Sequence, residues 1–135
     1  MIAIVKSEFN KKITDGLLDG CLEAIKEDGY KRKDVTVNRV PGAFEIPAVI
    51  KKVMQNSNPK VVIALGCVIK GETPHFDFIS KSSINGIMSL SIKYKKPIAN
   101  GILTCLTMKQ AVARSSIKGN KRKGKEATEA LLSVL

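Results

Sequence analysis

The sequence predicts an α/β protein in which helices sandwich an open, four-stranded parallel sheet. Apolar runs typical of strands alternate four times with residues at helical spacing along the 135-residue chain. The third run, residues 61–69, is apolar enough to be covered on both faces, as parallel strands are. Each crossover is expected to be right-handed. The length and the 44% apolar content fit one domain, residues 1–135, with a substantial core.

The first half of the chain predicts two strand–helix units. A strand at residues 2–5 and a turn at 7–10 lead into a helix whose apolar stripe begins at Ile13 and ends before Asp28-Gly29. An alternating segment, 35–40, predicts the second strand, which Pro41-Gly42 ends. A helical stripe then follows at Ile46, Val49, Ile50 and Val53.

The second half predicts two more strands and three helices. The strand at 61–69 leads to a helix from about residue 76 to 94, which Pro97 forbids from continuing. A fourth strand at 98–104 is expected to be interrupted by Asn100-Gly101. A short helix at 108–114, a basic loop and a terminal helix at 126–135 complete the chain.

The turns that follow the strands hold the unusual residues of the chain. In open parallel sheets, ligands bind outside the carboxyl ends of the strands, so these turns are expected to meet at one edge. Phe9 follows the first strand and either plugs the core or stacks on a flat heterocycle. Glu45 begins the second helix and either caps it or accepts ligand hydroxyls.

The segment 66–77, Gly-Cys-Val-Ile-Lys-Gly-Glu-Thr-Pro-His-Phe-Asp, predicts an anion site beside a proton-transfer group. It joins a strand end to a helix start, where backbone N–H groups and the helix dipole favour an anion. His75, the sole histidine of the sequence, follows at once, and an imidazole gives and takes protons near neutrality. The alternative is a solvated turn that happens to contain a histidine.

Charge and composition exclude several classes of protein. The net charge is +11, and its densest run is residues 118–125, which suggests a polyanion partner or a solvated loop. There is no aromatic interleaving for base stacking, which disfavours a sequence-specific nucleic-acid module. Three scattered cysteines predict reduced thiols in a cytoplasmic protein, and a metal site is not expected. Neither a signal peptide nor a membrane span is expected.

Several blocks of the sequence resemble one enzyme family. They are Ser-Glu-Phe-Asn (7–10), Val-Pro-Gly-Ala-Phe-Glu-Ile-Pro (40–47), the 66–77 segment, Asn-Gly-Ile-Leu-Thr (100–104), Gln-Ala-x-x-Arg (110–114) and Lys-Gly-x-Glu-Ala (123–127). In this order, and with almost no gaps, they resemble the lumazine synthases, penultimate enzymes of riboflavin biosynthesis. The second block and the Gly-Glu-Thr-Pro-His sequence are the most specific.

The resemblance implies a flavodoxin-like subunit that needs no cofactor. It would condense 5-amino-6-(D-ribitylamino)uracil with 3,4-dihydroxy-2-butanone 4-phosphate to give 6,7-dimethyl-8-ribityllumazine, phosphate and water. His75 would transfer protons. The pyrimidine and its ribityl chain would be held by Phe9, Asn10, Ala43, Phe44, Glu45, Cys67, Val68, Ile69 and Asn100. The butanone phosphate would be held by Glu72, Thr73 and Arg114, with Lys123 assisting.

The resemblance also implies a homo-oligomer. Active sites of this family lie between the subunits of a pentamer, so Asn100 and Arg114 would come from the next chain, and a functional link to riboflavin synthase is expected. Asn100 departs from the Phe of many members, and Lys70 from a frequent Arg. A short N-terminus leaves a pentamer, paired pentamers and a larger shell open. The rival functions are a non-catalytic flavin- or phosphate-binding module and a polyanion-binding protein that uses residues 118–125.

Overall fold

The computed structural model describes residues 1–119 and 121–135. Its strands are β1 (Ile2–Ser7), β2 (Val35–Val40), β3 (Val61–Ile69) and β4 (Ile98–Cys105). Its α-helices are α1 (Lys11–Glu27), α2 (Ile46–Ser57), α3 (His75–Tyr94), α4 (Met108–Ser115) and α5 (Lys123–Ser133). The strands pair in parallel in the order β2-β1-β3-β4. The predicted α/β class and its four-stranded parallel sheet are therefore confirmed.

Helices cover both faces of the sheet. On one face, Ile4 and Ile63 pack in a core with residues of α1, α4 and α5. On the other, Val5 and Val62 pack with residues of α2 and α3. Residues 61–68 of β3 are buried throughout, which explains their unbroken apolar run. The chain thus forms three layers, and the helices that follow β1 and β3 leave the sheet on opposite faces.

Three predicted boundaries are wrong. β1 continues through the buried Lys6 and Ser7, because ion pairs hold the lysine inside the sheet. β4 is not interrupted at Gly101, because the missing side chain there lets the backbone approach Ala64, whose carbonyl oxygen would lie 2.7 Å from an added Cβ. The terminal helix begins at Lys123 and not at residue 126. In each case a tertiary contact overrides the local signal.

The close packing of α5 on α1 depends on Gly124. A Cβ added there would lie 2.2 Å from the backbone oxygen of Leu17, which cannot move as a side-chain tip can. We expect Gly124→Ala to lower the free energy of unfolding by about 1–3 kcal/mol, since this overpacking outweighs the ~1 kcal/mol helical preference of alanine. Urea denaturation measures the change. Gly71→Ala is the control, because an added Cβ there meets nothing within 4 Å, and an equal loss in both variants would contradict the prediction.

The outward face of α3 carries exposed apolar side chains among polar ones and is uncovered in the single chain. Within this helix only Ser83 and Ile87 are buried. Phe78, Met88 and Ile92 are 66%, 60% and 71% exposed. In the part of the chain that the structure describes, no helix has the length and apolar character to cross a membrane. Exposed apolar side chains on one face of a helix are typical of a surface that contacts another protein.

Candidate active site

A cavity of about 600 Å³ opens at the carboxyl edge of the sheet, within the size range of small-molecule sites. It lies where β1, β2 and β3 end and α3 begins. The residues that line it are Phe9, Pro41, Gly42, Ala43, Phe44, Glu45, Cys67, Val68, Ile69, His75 and Ile79. Every residue assigned by resemblance to the pyrimidine is among them, except Asn10 and Asn100. The cavity also contains the proposed proton-transfer residue, His75.

The turn after β1 presents Phe9 to this cavity. Its ring is 69% exposed, so the interpretation of Phe9 as a core plug is wrong. Its backbone N–H donates to the carbonyl oxygen of Pro41 at 2.9 Å. Asn10 adopts a left-handed conformation, with φ 58°, and its side-chain amide donates to the carbonyl of Cys67 at 3.4 Å. Asn10 thus ties the turn to β3, behind the surface on which Phe9 is displayed.

A short 3-10 turn, Ala43–Glu45, forms the opposite wall of the cavity. The buried hydroxyl of Ser83 on α3 donates to the carbonyl of Ala43 at 3.1 Å and fixes the turn from below. Phe44 is 61% exposed, which leaves its ring available to a ligand. Glu45 precedes α2, but its side chain makes no capping hydrogen bond. Its carboxylate folds over the backbone of Gly42, where an added Cβ would lie 3.2 Å from Oε1.

The loop from β3 to α3 surrounds His75 with polar groups. His75 is the first residue of α3 and is exposed. Its backbone N–H donates to Oγ1 of Thr73 at 3.4 Å. Glu72 and Thr73 are exposed beside it, although they do not line the cavity itself. The start of a 20-residue helix directs a positive dipole end toward this loop, so an anion held there would lie next to the imidazole.

Cys67 lines the cavity, but its thiol is poorly suited to act as a nucleophile. Burial, with a smaller contribution from the nearby Cys105, raises the pKa of its thiol to about 12. The reactive thiolate is therefore almost absent near neutral pH. We expect Cys67→Ala to keep the activity of the enzyme that the sequence resembles within roughly threefold of wild type, since only packing changes. Steady-state kinetics test this, and a loss of ~10²-fold or more would indicate covalent or acid–base participation.

A second cavity of about 370 Å³ holds the residues predicted to come from a neighbouring chain. It shares no lining residue with the first, and it contains Asn100, Arg114 and Lys123. One guanidinium N–H of Arg114 donates to the carbonyl of Gln110 at 3.0 Å, and this hydrogen bond orients the planar guanidinium group. Lys123 pairs with Glu126 of the same helix at 3.1 Å, so its charge is partly neutralised. Arg114 is thus the stronger candidate for a phosphate group.

Three of the five cations in the basic run 118–125 are engaged in ion pairs. Arg122 lies 2.5 Å from Glu23 on α1, and Lys125 lies 3.3 Å from the same residue. Lys125 also pairs with Glu27 at 3.2 Å. Asn120, inside the run, lies outside the described residues. These contacts fasten α5 to α1, which gives the run a structural role and does not favour a polyanion-binding function.

The sequence did not reveal every residue that lines or supports the first cavity. Pro41, Gly42 and Ile79 line the first cavity although no role was predicted for them. The sequence places Pro41-Gly42 in the turn after the second strand, at the predicted ligand-binding edge, but it indicates no individual role for either residue. Ser83 gave no signal, because its partner, the carbonyl of Ala43, is brought near only by the fold.

The fold and the first cavity define a flavodoxin-like α/β protein with a small-molecule site at the carboxyl edge of its sheet. The family model described as 6,7-dimethyl-8-ribityllumazine synthase matches residues 1–135. The chain therefore belongs to the 6,7-dimethyl-8-ribityllumazine synthase family.

Curated relatives agree with the family model. The protein of that name from Aliarcobacter butzleri (strain RM4018) is 41% identical over 135 residues, covering 99% of this chain and 85% of the relative. Its counterpart from Campylobacter concisus (strain 13826) is 40% identical over 134 residues, with the same coverage. That from Protochlamydia amoebophila (strain UWE25) is 40% identical, and 77% of it is covered.

Proposed function

We propose that this chain is an enzyme that condenses 5-amino-6-(D-ribitylamino)uracil with 3,4-dihydroxy-2-butanone 4-phosphate, as its family membership implies. The products are 6,7-dimethyl-8-ribityllumazine, phosphate and water. The observation that supports the proposal most is the meeting of Phe9, Glu45 and His75 in one cavity. A flat pyrimidine fits between exposed aromatic rings, and the carboxylate of Glu45 suits the hydroxyls of its ribityl chain.

The proposed chemistry requires proton transfer and charge stabilisation. The 5-amino group of the pyrimidine attacks the ketone of the butanone and expels water, which forms a Schiff base. Loss of the C3 proton then expels the phosphate from C4 with its C–O bonding electrons and leaves an enol, which tautomerises to a ketone at C3. The ribitylamino nitrogen closes the ring onto this new ketone with loss of a second water. His75 would take and return the protons of these steps. Holding the two substrates together supplies most of the acceleration, since orientation is worth up to ~7–11 kcal/mol.

The proposed site is completed by a second copy of the chain. His75 and Arg114 line different cavities of one subunit, so the phosphate-binding cation comes from a neighbour in this proposal. The exposed apolar face of α3 supports subunit contacts, as does the outer position of β4 in the sheet. The family resemblance favours a homopentamer or a multiple of it. Sedimentation velocity or light scattering measures the assembly.

Further parts of the proposal concern location and partners. Residues 1–135 would act as one domain in the cytoplasm, where thiols stay reduced. The buried and unbridged state of Cys21, Cys67 and Cys105 supports this compartment. The lumazine product would be handed to riboflavin synthase, a functional link that rests on the family resemblance. No nucleic-acid or membrane partner is proposed.

One assay tests the proposed reaction directly. Purified protein is mixed with the ribitylaminouracil and the butanone phosphate, and lumazine fluorescence is followed above the spontaneous rate. Product formation at a rate proportional to enzyme concentration is expected. Binding of both substrates without product would instead establish the non-catalytic binding module. A heat-denatured sample measures the background.

A further inference from the structure

Lys6 is a fully buried lysine whose position in the core is unusual. Its side chain has 0% exposure, and Nζ lies 2.8 Å from Oδ1 of Asp15 and 3.2 Å from Oε2 of Glu8. A buried ion pair is weak support for stability, because apolar residues of similar volume often serve as well or better. Such a pair is better explained by the geometry that it imposes on the groups it joins.

The ion pairs extend into a chain that ties three elements together. On α1, Oδ2 of Asp15 also lies 2.7 Å from Nζ of Lys11. Oε1 of Glu8 lies 3.0 Å from Nε of Arg39 on β2. The outer cations, Lys11 and Arg39, are 63% and 59% exposed, whereas Lys6 at the centre has no access to water. Salt and water therefore screen the central contacts least.

These contacts bracket the turn that carries Phe9. Glu8 immediately precedes Phe9, and Asp15 lies in the first part of α1, beyond it. The backbone N–H of Glu8 donates to the carbonyl of Val40 at 2.7 Å, so the turn is also fastened to β2. Because the Phe9 ring is 69% exposed, its own packing fixes its position little. The position of the ring is instead determined by the anchors of its backbone.

We propose that Lys6 is a positioning residue: by joining Glu8 to Asp15 it holds Phe9 at the pyrimidine side of the cavity. The inference rests on the proposed function, in which Phe9 stacks on the uracil ring. Replacing the ammonium by an apolar side chain of similar length removes the link between the two carboxylates, which then keep only their exposed partners, Lys11 and Arg39. The turn then loses its central anchor, and the free ring samples positions that do not stack on the ligand.

The test is the affinity of the ribitylaminouracil, measured by calorimetry in Lys6→Met. We expect its Kd to rise by up to roughly tenfold, which is the contribution that one aromatic stacking contact makes to an affinity. The KM for the butanone phosphate should stay within about twofold, because its proposed ligands lie elsewhere. The matched control is Lys125→Met, which also removes a lysine paired with two carboxylates, Glu23 and Glu27, and should leave the Kd unchanged.

A double-mutant cycle with Phe9→Ala separates positioning from general loosening. If Lys6 acts through the ring, Lys6→Met raises the Kd little further once the ring is absent. An equal rise in both backgrounds, or no rise in either, overturns the inference. If Lys6→Met does not fold, Glu8→Gln replaces it in the same cycle, because the Glu8 side chain is 30% exposed and tolerates the change. Pyrimidine binding to the wild type without lumazine formation would refute the proposed function alone, since the cycle measures binding and not turnover.

Discussion

The Arg114→Ala variant is expected to lose ~10²–10³-fold in kcat/KM, because removing one partner of a desolvated charge pair costs about 2–5 kcal/mol. A guanidinium binds a phosphate through two parallel N–H donors, and no neighbouring side chain of the second cavity offers that geometry among the described residues. Steady-state kinetics with varied butanone phosphate measure the loss. Lys123→Ala is the control from the same cavity, and its loss should be about tenfold or less, since Glu126 already neutralises part of its charge.

Mixed assemblies test whether the two cavities complete one site. Arg114→Ala and His75→Ala chains are co-expressed and purified as joint assemblies. Each whole site needs His75 from one copy and Arg114 from its neighbour, so random mixing restores about a quarter of the sites (one half times one half). The mixture should then exceed the activity of either variant alone. Activity no higher than the mean of the two variants would indicate that both residues act within one chain.

The convergence at the sheet edge could be predicted because parallel strands end on the same side. Phe9, Glu45 and His75 are separated along the chain, yet each lies in the segment that follows a different strand, and the structure places all three in one cavity. The residue types in the turn after each strand can be read from the local sequence. The fold class was predicted from the alternation of strands and helices along the chain. The position of the site at the carboxyl edge follows from the same alternation, so both predictions depend on one pattern.

Lys6 and Gly101 show what local sequence did not reveal. A lysine after an apolar run is typical of a strand that has reached solvent, whereas Lys6 is buried by partners on α1 and in the following turn. Gly101 was expected to interrupt β4, but it admits a close backbone approach within the sheet. Both outcomes depend on contacts between elements, which periodicity and propensity do not encode. The separation of Arg114 from His75 within one subunit likewise follows from the arrangement of the helices.

His75→Ala is expected to lower kcat by about 10- to 10²-fold, at or below the low end of the ~10²–10⁴-fold contribution of general acid–base groups. His75 is exposed, so water can reach the reacting atoms and transfer some of the protons in its place. The substitution leaves Phe9, Glu45 and Arg114 in place, so both substrates remain bound and oriented. Their KM values should therefore change little, and single-turnover kinetics should locate the loss in the chemical steps.

The pH dependence distinguishes proton transfer from packing in this variant. If His75 moves protons, the dependence of the rate on pH changes in His75→Ala, and added imidazole restores part of the rate. His75→Gln is the matched control, because it keeps a polar side chain of similar size that cannot exchange protons, and it should be as slow as the alanine variant. A glutamine variant with wild-type kcat would assign His75 a binding role instead. A loss above ~10⁴-fold would exceed the usual contribution of acid–base catalysis and would contradict this division of roles between proton transfer and substrate orientation.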